Sequence, residues 1–207
     1  MDKKKVTLCK DLIIATLLAL LSFALYIRTL VPTLLTADAA EFQTLSYTLG
    51  MTHASGYTTY ILMGKLFTLI PISNIAFRVN LMSAFFGALA VGQVYLIIRL
   101  LGGWKIAAVA GAVALTINPL FWRRTIFAET YAPAASMLAS VFLFMLLWKE
   151  TKKAHYLFLA GLIGGISVGI HSTVVMTASA VFIYMLFKAR QKKEWISAAS
   201  GATLGLL

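Results

Sequence analysis

Nearly uncharged stretches long enough to cross a lipid bilayer recur along this chain, and they constrain its fold more than any motif does. They run from Leu12 to Ile27, from Leu81 to Leu101, from about Ile106 to Phe121, and from Pro133 to Trp148. Lipid offers the backbone no hydrogen-bond partners, so each stretch must satisfy itself as a helix. Tyr156 to Phe187 is too long for one helix at about 1.5 Å per residue across a core of about 30 Å. It reads as two, with His171-Ser172-Thr173 as the turn. Trp195 to Leu207 begins a further apolar segment. Gly102-Gly103 marks a tight turn, and Pro133 suits the first turn of its helix. The expected fold is all-α, a polytopic transmembrane helical bundle of about six to seven spans. Residues 1–207 read as one transmembrane domain, the N-terminal part of a longer protein.

A soluble core is excluded by a charged fraction of only 12%, a hydrophobic fraction of 60% and a mean hydropathy of +0.88. The net charge of +11 does not indicate nucleic acid, because the basic residues fall in short clusters between apolar segments. There they orient the protein by the positive-inside rule. Lys3, Lys4, Lys5 and Lys10 precede the first span, which lacks the small-residue cleavage site of a signal peptide. The single cysteine, Cys9, excludes an intrachain disulfide.

Thr36 to Tyr60 is the long break in this pattern, and it holds Asp38, Glu41 and His53. If Ala39 to Leu49 is helical, Asp38 and Glu41 lie near one face and can share a ligand. The same residues also fit a capping box, with Asp38 as N-cap and Glu41 three positions on. Gly50 then reads as the helix stop. Tyr57 to Pro71 is short and carries Lys65, so it is expected at the membrane interface rather than across it. With that segment interfacial, most of the 18 lysines and arginines fall on the cytoplasmic side, leaving Arg28, Lys65, Arg78, Arg123 and Arg124 outside.

This topology gathers Asp38, Glu41, His53, Arg123, Arg124, Glu129 and His171 on the outer face. Such a mixture at one membrane surface suggests a site. Each member also has a plainer role. Arg123 and Arg124, beside Trp122, suit an interfacial anchor; Glu129 suits a salt bridge to one of them; His171 suits a turn. Asp38, Glu41 and a histidine form a donor set for a divalent cation, without tight metal-ligand spacing.

The order Asp38-Ala-Ala-Glu41-Phe42, Leu49-Gly50-x-x-His53-x-x-Gly56-Tyr57, Phe77-Arg78-Val79-Asn80-Leu81, Phe121-Trp122 with Ala128-Glu129-x-Tyr131-Ala132, and Gly169-x-His171-x-Thr173 resembles a known pattern. It is similar to a bacterial membrane glycosyltransferase family of the GT-C superfamily, related to the eukaryotic protein O-mannosyltransferase of plexin-type receptors. The chain departs from that family at Ala54, Ser55 and Thr58, where prolines are usual, and at Ile170, where asparagine is usual. The resemblance implies an integral protein of the bacterial inner membrane, with membrane-surface helices in the first outer loop (residues 32–78) covering an extracytoplasmic active site. It implies transfer of a mannose-like sugar from a polyprenyl or dolichyl phosphate to a hydroxyl of a protein or glycan, with inversion and in contact with membrane lipid. Asp38 is then the expected base and Glu41 its orienting partner. His53, Tyr57, Arg123, Arg124, Glu129 and His171 are expected to bind substrate.

Two other classes compete. A transporter or flippase of a lipid-linked or anionic solute would keep its polar site near the bilayer midplane, where this chain offers mainly Gln93. A membrane scaffold packed on Gly161, Gly165 and Gly169 accounts for the glycines but not for the outer polar cluster.

Overall fold

The computed structural model describes residues 3–53 and 57–207, without the side chains of residues 3–8. Ala54, Ser55 and Gly56, and the side chains of Lys3, Lys4 and Lys5, therefore lie outside the described residues. The described chain is helical: α1 Lys3–Arg28, α2 Ala37–Thr48, α3 Thr58–Thr68, α4 Ile75–Leu100, α5 Lys105–Ile117, α6 Pro119–Thr125, α7 Tyr131–Thr151, α8 His155–Val168, α9 Val175–Lys188 and α10 Lys192–Leu206. A single 3-10 turn, Ser172–Val174, precedes α9. Three of these helices, α1, α4 and α7, are long and apolar enough to cross a membrane. A fourth span results if α5 and α6 are counted as one broken element. By length and composition, α8 and α9 fall short, so the described helices give three to four spans where six to seven were expected.

The antiparallel pairing of α1 and α4 follows from contacts at both ends. Near the start of α1, Asp11 is buried and accepts hydrogen bonds from Tyr95 (2.9 Å) and Arg99 (3.1 Å), near the end of α4. At the other end Tyr26 and Leu30 pack with Leu81, Ala84 and Ala88. The chain between these helices thus leaves and returns at the same end of the bundle, as the short interfacial reading of α3 requires. Lys65 of α3 donates to the Tyr47 carbonyl on α2 (2.6 Å). Arg78 clamps the α3–α4 turn by donating to the carbonyls of Ile72, Ser73 and Thr68.

The third apolar stretch is not the straight helix its hydropathy suggests. It bends by 63° between α5 and α6, because Asn118 accepts from the Phe121 N–H as a cap (3.0 Å) and Pro119 opens the new helix. Trp122, near the end of α6, donates to Thr29 (3.0 Å), at the same end as α2 and α3. From there α7 runs alongside α4, with buried Gln93 bonded to Ser140 (2.7 Å) and Ser136 (3.2 Å). This satisfied amide explains the polar residue in the middle of α4.

Helix α8 returns toward the same end and packs closely on α10. A Cβ added at Gly161 or Gly165 would strike backbone atoms of Ala198, Ala202 or Gly205, and one added at Gly201 or Gly205 would strike the backbone of α8. Small residues on both helices therefore let the backbones meet, as expected for Gly161 and Gly165. Gly169 departs from that ridge: it faces Thr59 of α3, and its carbonyl accepts from the Tyr60 N–H (3.3 Å).

Gly201→Ala should destabilise the protein by about 1–3 kcal/mol, because its methyl meets a backbone carbonyl that has no rotamer to yield. Gly164→Ala should be nearly neutral, since its methyl meets only Val141 at 3.9 Å. Thermal unfolding in detergent distinguishes the two; equal melting temperatures would refute the close α8–α10 contact.

Candidate active site

Helix α2 begins two residues earlier than a capping box at Asp38 would require. Its N-cap is Thr36, which makes no side-chain cap bond, and Ala37 starts the helix with a left-handed φ of 55°. Asp38 is therefore in the first turn, where its charge favours the helix dipole, and its side chain is exposed. Glu41 is freed from capping. Its two oxygens accept from the His53 backbone N–H (2.7 Å) and pair with His53 Nδ1 (2.7 Å). The helix stop is also displaced: Leu49, not Gly50, takes the left-handed conformation at φ 57°.

A bidentate grip on His53 has two consequences. The hydrogen bonds from His53 hold the Glu41 carboxyl below its ordinary range, outweighing the opposing effect of desolvation. With Nδ1 occupied, the Nε2 edge of the ring is the one left for a ligand. From His53 a series of rings crosses the site. His53 lies 5.2 Å from Tyr57, Tyr57 lies 6.4 Å from His171, and His171 lies 5.4 Å from Tyr131. The Arg124 guanidinium covers the Tyr131 ring at 4.6 Å and forms a salt bridge with Glu129. His171 caps the 3-10 turn, its Nδ1 accepting from the Thr173 N–H (3.3 Å). This bond assigns the proton to Nε2 in neutral His171, so that edge is a donor.

Seven of the eight residues singled out in the sequence belong to this assembly: Asp38, Glu41, His53, Tyr57, Arg124, Glu129 and His171. Burial pushes the Glu129 carboxyl up, Arg124 and His171 oppose that shift, and the charge of Asp38 adds to it. Asp38 and Glu129 are thus within electrostatic reach although they come from different helical layers. Arg123 differs from Arg124. It is exposed and makes no hydrogen bond or ion pair with the described residues, a placement that suits the interfacial anchor.

Residues 38–195 match the family described as Protein O-mannosyl-transferase TMEM260 N-terminal domain. The chain belongs to that family. It is 26% identical over 176 residues to the mouse protein O-mannosyl-transferase TMEM260, an alignment covering 83% of this chain and 25% of the mouse protein. It is also 26% identical over 127 residues to the Dictyostelium discoideum protein of the same description, covering 60% of this chain and 15% of that protein. The chain therefore spans about a quarter of the mouse relative's length. No solved structure matches it.

Two site features escaped the sequence reading. Tyr131, placed only as part of a motif, links Arg124 to His171. Gln43 and Asn80 form a buried amide pair beneath the acids (2.7 Å). The available signal was an isolated amide on an apolar helix face at each position. As for metal, ligand atoms of Asp38, Glu41 and His53 lie within 4.8 Å of one another, a donor set able to hold a divalent cation. Glu41 and His53 already satisfy each other by hydrogen bonds, so that pair holds its geometry without an ion.

Because the folded-state pKa of Glu41 is depressed, its contact with His53 stabilises the protein above the ordinary carboxylate range. That contribution disappears as pH falls through the depressed value. Glu41→Gln should therefore lower the detergent melting temperature at neutral pH and converge on the unsubstituted protein once the pH falls below that depressed value. A constant offset across that range would contradict the assigned pair.

Proposed function

We propose that this chain is the catalytic membrane module of a protein O-mannosyltransferase of the GT-C kind, moving mannose from a lipid phosphate to a hydroxyl of a protein acceptor. The observation carrying this reading is that α2 brings Asp38 to the bundle end where the α6–α7 region supplies Arg124, Glu129 and Tyr131, and the start of the 3-10 turn supplies His171. Acid and cationic groups meet there from separate parts of a chain in the O-mannosyl-transferase family. The transporter reading lacks such support, since the mid-bundle polar group Gln93 is already bonded to Ser136 and Ser140.

Their commitments divide the acids by role. Both Glu41 oxygens engage His53, and Glu129 is held by Arg124, whereas Asp38 is exposed and has neither engagement. Asp38 is the general base. It takes the proton of the acceptor hydroxyl as that oxygen bonds to the anomeric carbon, and the bond from that carbon to the phosphate oxygen breaks with its electrons remaining on phosphate. Attack opposite the leaving group inverts the anomeric centre. Arg124 and the Nε2–H of His171 stabilise the departing lipid phosphate, while Glu41 orients His53 instead of Asp38.

In this reading the site lies on the extracytoplasmic face of a bacterial inner membrane, a location for which the motif resemblance is the support. Helices α8 to α10 are shorter than an ordinary span but reverse direction in turn, and counting each as a crossing gives this reading its six to seven spans. The 207 residues then form the membrane-embedded N-terminal part of a longer enzyme, supported by their coverage of 25% of the mouse relative.

Asp38→Asn keeps the shape and polarity of the first helical turn but cannot accept the proton. In the complete protein it should reduce turnover of lipid-phosphate mannose roughly 10²- to 10⁴-fold while leaving detergent melting nearly unchanged. Near-normal turnover would remove Asp38 as base.

A further inference from the structure

The least exposed polar side chains near the site are not those assigned to the chemistry. Gln43 is 1% exposed and Asn80 is fully buried. Gln43 Nε2 donates to Asn80 Oδ1 at 2.7 Å, and the same oxygen accepts the Ala128 N–H at 2.8 Å. Asn80 Nδ2 donates to the Val31 carbonyl at 2.8 Å, while Gln43 Oε1 accepts the Leu35 N–H at 3.0 Å. These bonds fix the orientation of both amides: each oxygen faces donors and each bonded nitrogen faces an acceptor.

The segments joined by this pair are those that carry the site. Gln43 lies on α2 just beyond Asp38 and Glu41, and Val31 and Leu35 belong to the strap leading into that helix. Ala128 immediately precedes Glu129. The strap and the segment before α7 also meet directly through Val31 N–H to the Ile126 carbonyl (2.9 Å). Ser83, on the helix that carries Asn80, bonds the Glu129 backbone at 3.3–3.4 Å. Buried amides are costly unless fully bonded, and an apolar pair would fill the space without fixing a register. The satisfied pair therefore supplies direction as well as packing.

We propose that Gln43 and Asn80 are positioning residues that set the separation and register of Asp38 relative to Glu129 and Arg124. This inference rests on the transferase reading for its kinetic consequence, though its geometric consequence stands independently. Gln43→Met fills similar space and removes both side-chain hydrogen bonds. Gln43→Asn keeps a neutral amide but is one methylene too short to reach both Asn80 and Leu35. Asn80→Asp retains the acceptors for Gln43 and Ala128 and loses the donor to Val31.

The experiment uses the complete protein with Cys9→Ser, and with spin labels on cysteines at Thr44 on α2 and Leu120 on α6, both exposed. It measures the label-to-label distance, melting temperature, and kcat and KM for lipid-phosphate mannose, with and without Asp38→Asn. Gln43→Met should broaden or shift the distance distribution and lower kcat on the order of 10²-fold, with little change in donor KM. In the Asp38→Asn background the further loss should shrink to less than about threefold, because the positioned base is gone. Gln43→Asn should lie between Gln43→Met and the unsubstituted protein in both distance and kcat, and it supplies the test if Gln43→Met fails to fold. An unchanged distance distribution, or equal fold-losses in kcat with and without Asp38→Asn, overturns the proposal. If the unsubstituted protein transfers no mannose, the transferase reading fails, and the label distance alone decides whether the amide pair sets the register.

Discussion

Asp11 of α1, buried against Tyr95 and Arg99 of α4, and Tyr26 of α1, packed against α4 near its start, fix these two helices side by side in opposite directions. A buried carboxylate is tolerated here because it is both charge-paired and hydrogen-bonded. The intervening segment must begin and end at one end of the bundle, so α2 and α3 are held there as a cap. The bend at Asn118-Pro119 then brings α6 toward them, and α8 returns His171 to the same end. The candidate site depends on these reversals of direction more than on any local motif.

Within the cap, polar groups divide into those committed to structure and those open to a ligand. Arg78 bonds three carbonyls and Lys65 one, so two of the expected outer cations serve the fold. Gln43 and Asn80 satisfy each other and the surrounding backbone. Glu41 holds His53, and Arg124 holds Glu129. Asp38, the Nε2 edges of the histidines and the remaining Arg124 donors are the groups this arrangement leaves for chemistry.

Much of the architecture was legible because lipid imposes a severe rule on sequence: long apolar runs become helices, and clustered lysines mark their ends. That α3 is too short to cross a membrane was legible in its length and in Lys65. Finer features depended on tertiary contacts. Glu41 looked like a capping residue because capping needs only a spacing of three positions, but His53 competes for it from a loop that local spacing does not place. Leu49 adopts the left-handed turn although glycine follows it. The Asn118-Pro119 dipeptide was a readable break signal hidden by the hydropathy of its surroundings. The union of Arg124 and Glu129 was foreseen as one option, whereas the different placement of Arg123 was not. Gln43 and Asn80 were least legible, because a polar residue on an apolar face announces a partner without identifying it.

The account requires the two halves of the site to face the same aqueous compartment, opposite the amino-terminal end of α1. Cysteine accessibility in sealed, oriented membranes tests this most directly. Met51 and Leu120 are highly exposed reporters for the two halves, and the native Cys9 is exposed near the other end of α1. Cysteines at Met51 and Leu120, each in a Cys9→Ser background, should react with an impermeant reagent from the extracytoplasmic side. Cys9 in the unsubstituted protein should react only after the membrane is opened. Reaction of Met51 and Leu120 from opposite sides, or of Cys9 from the same side as both, would contradict the account.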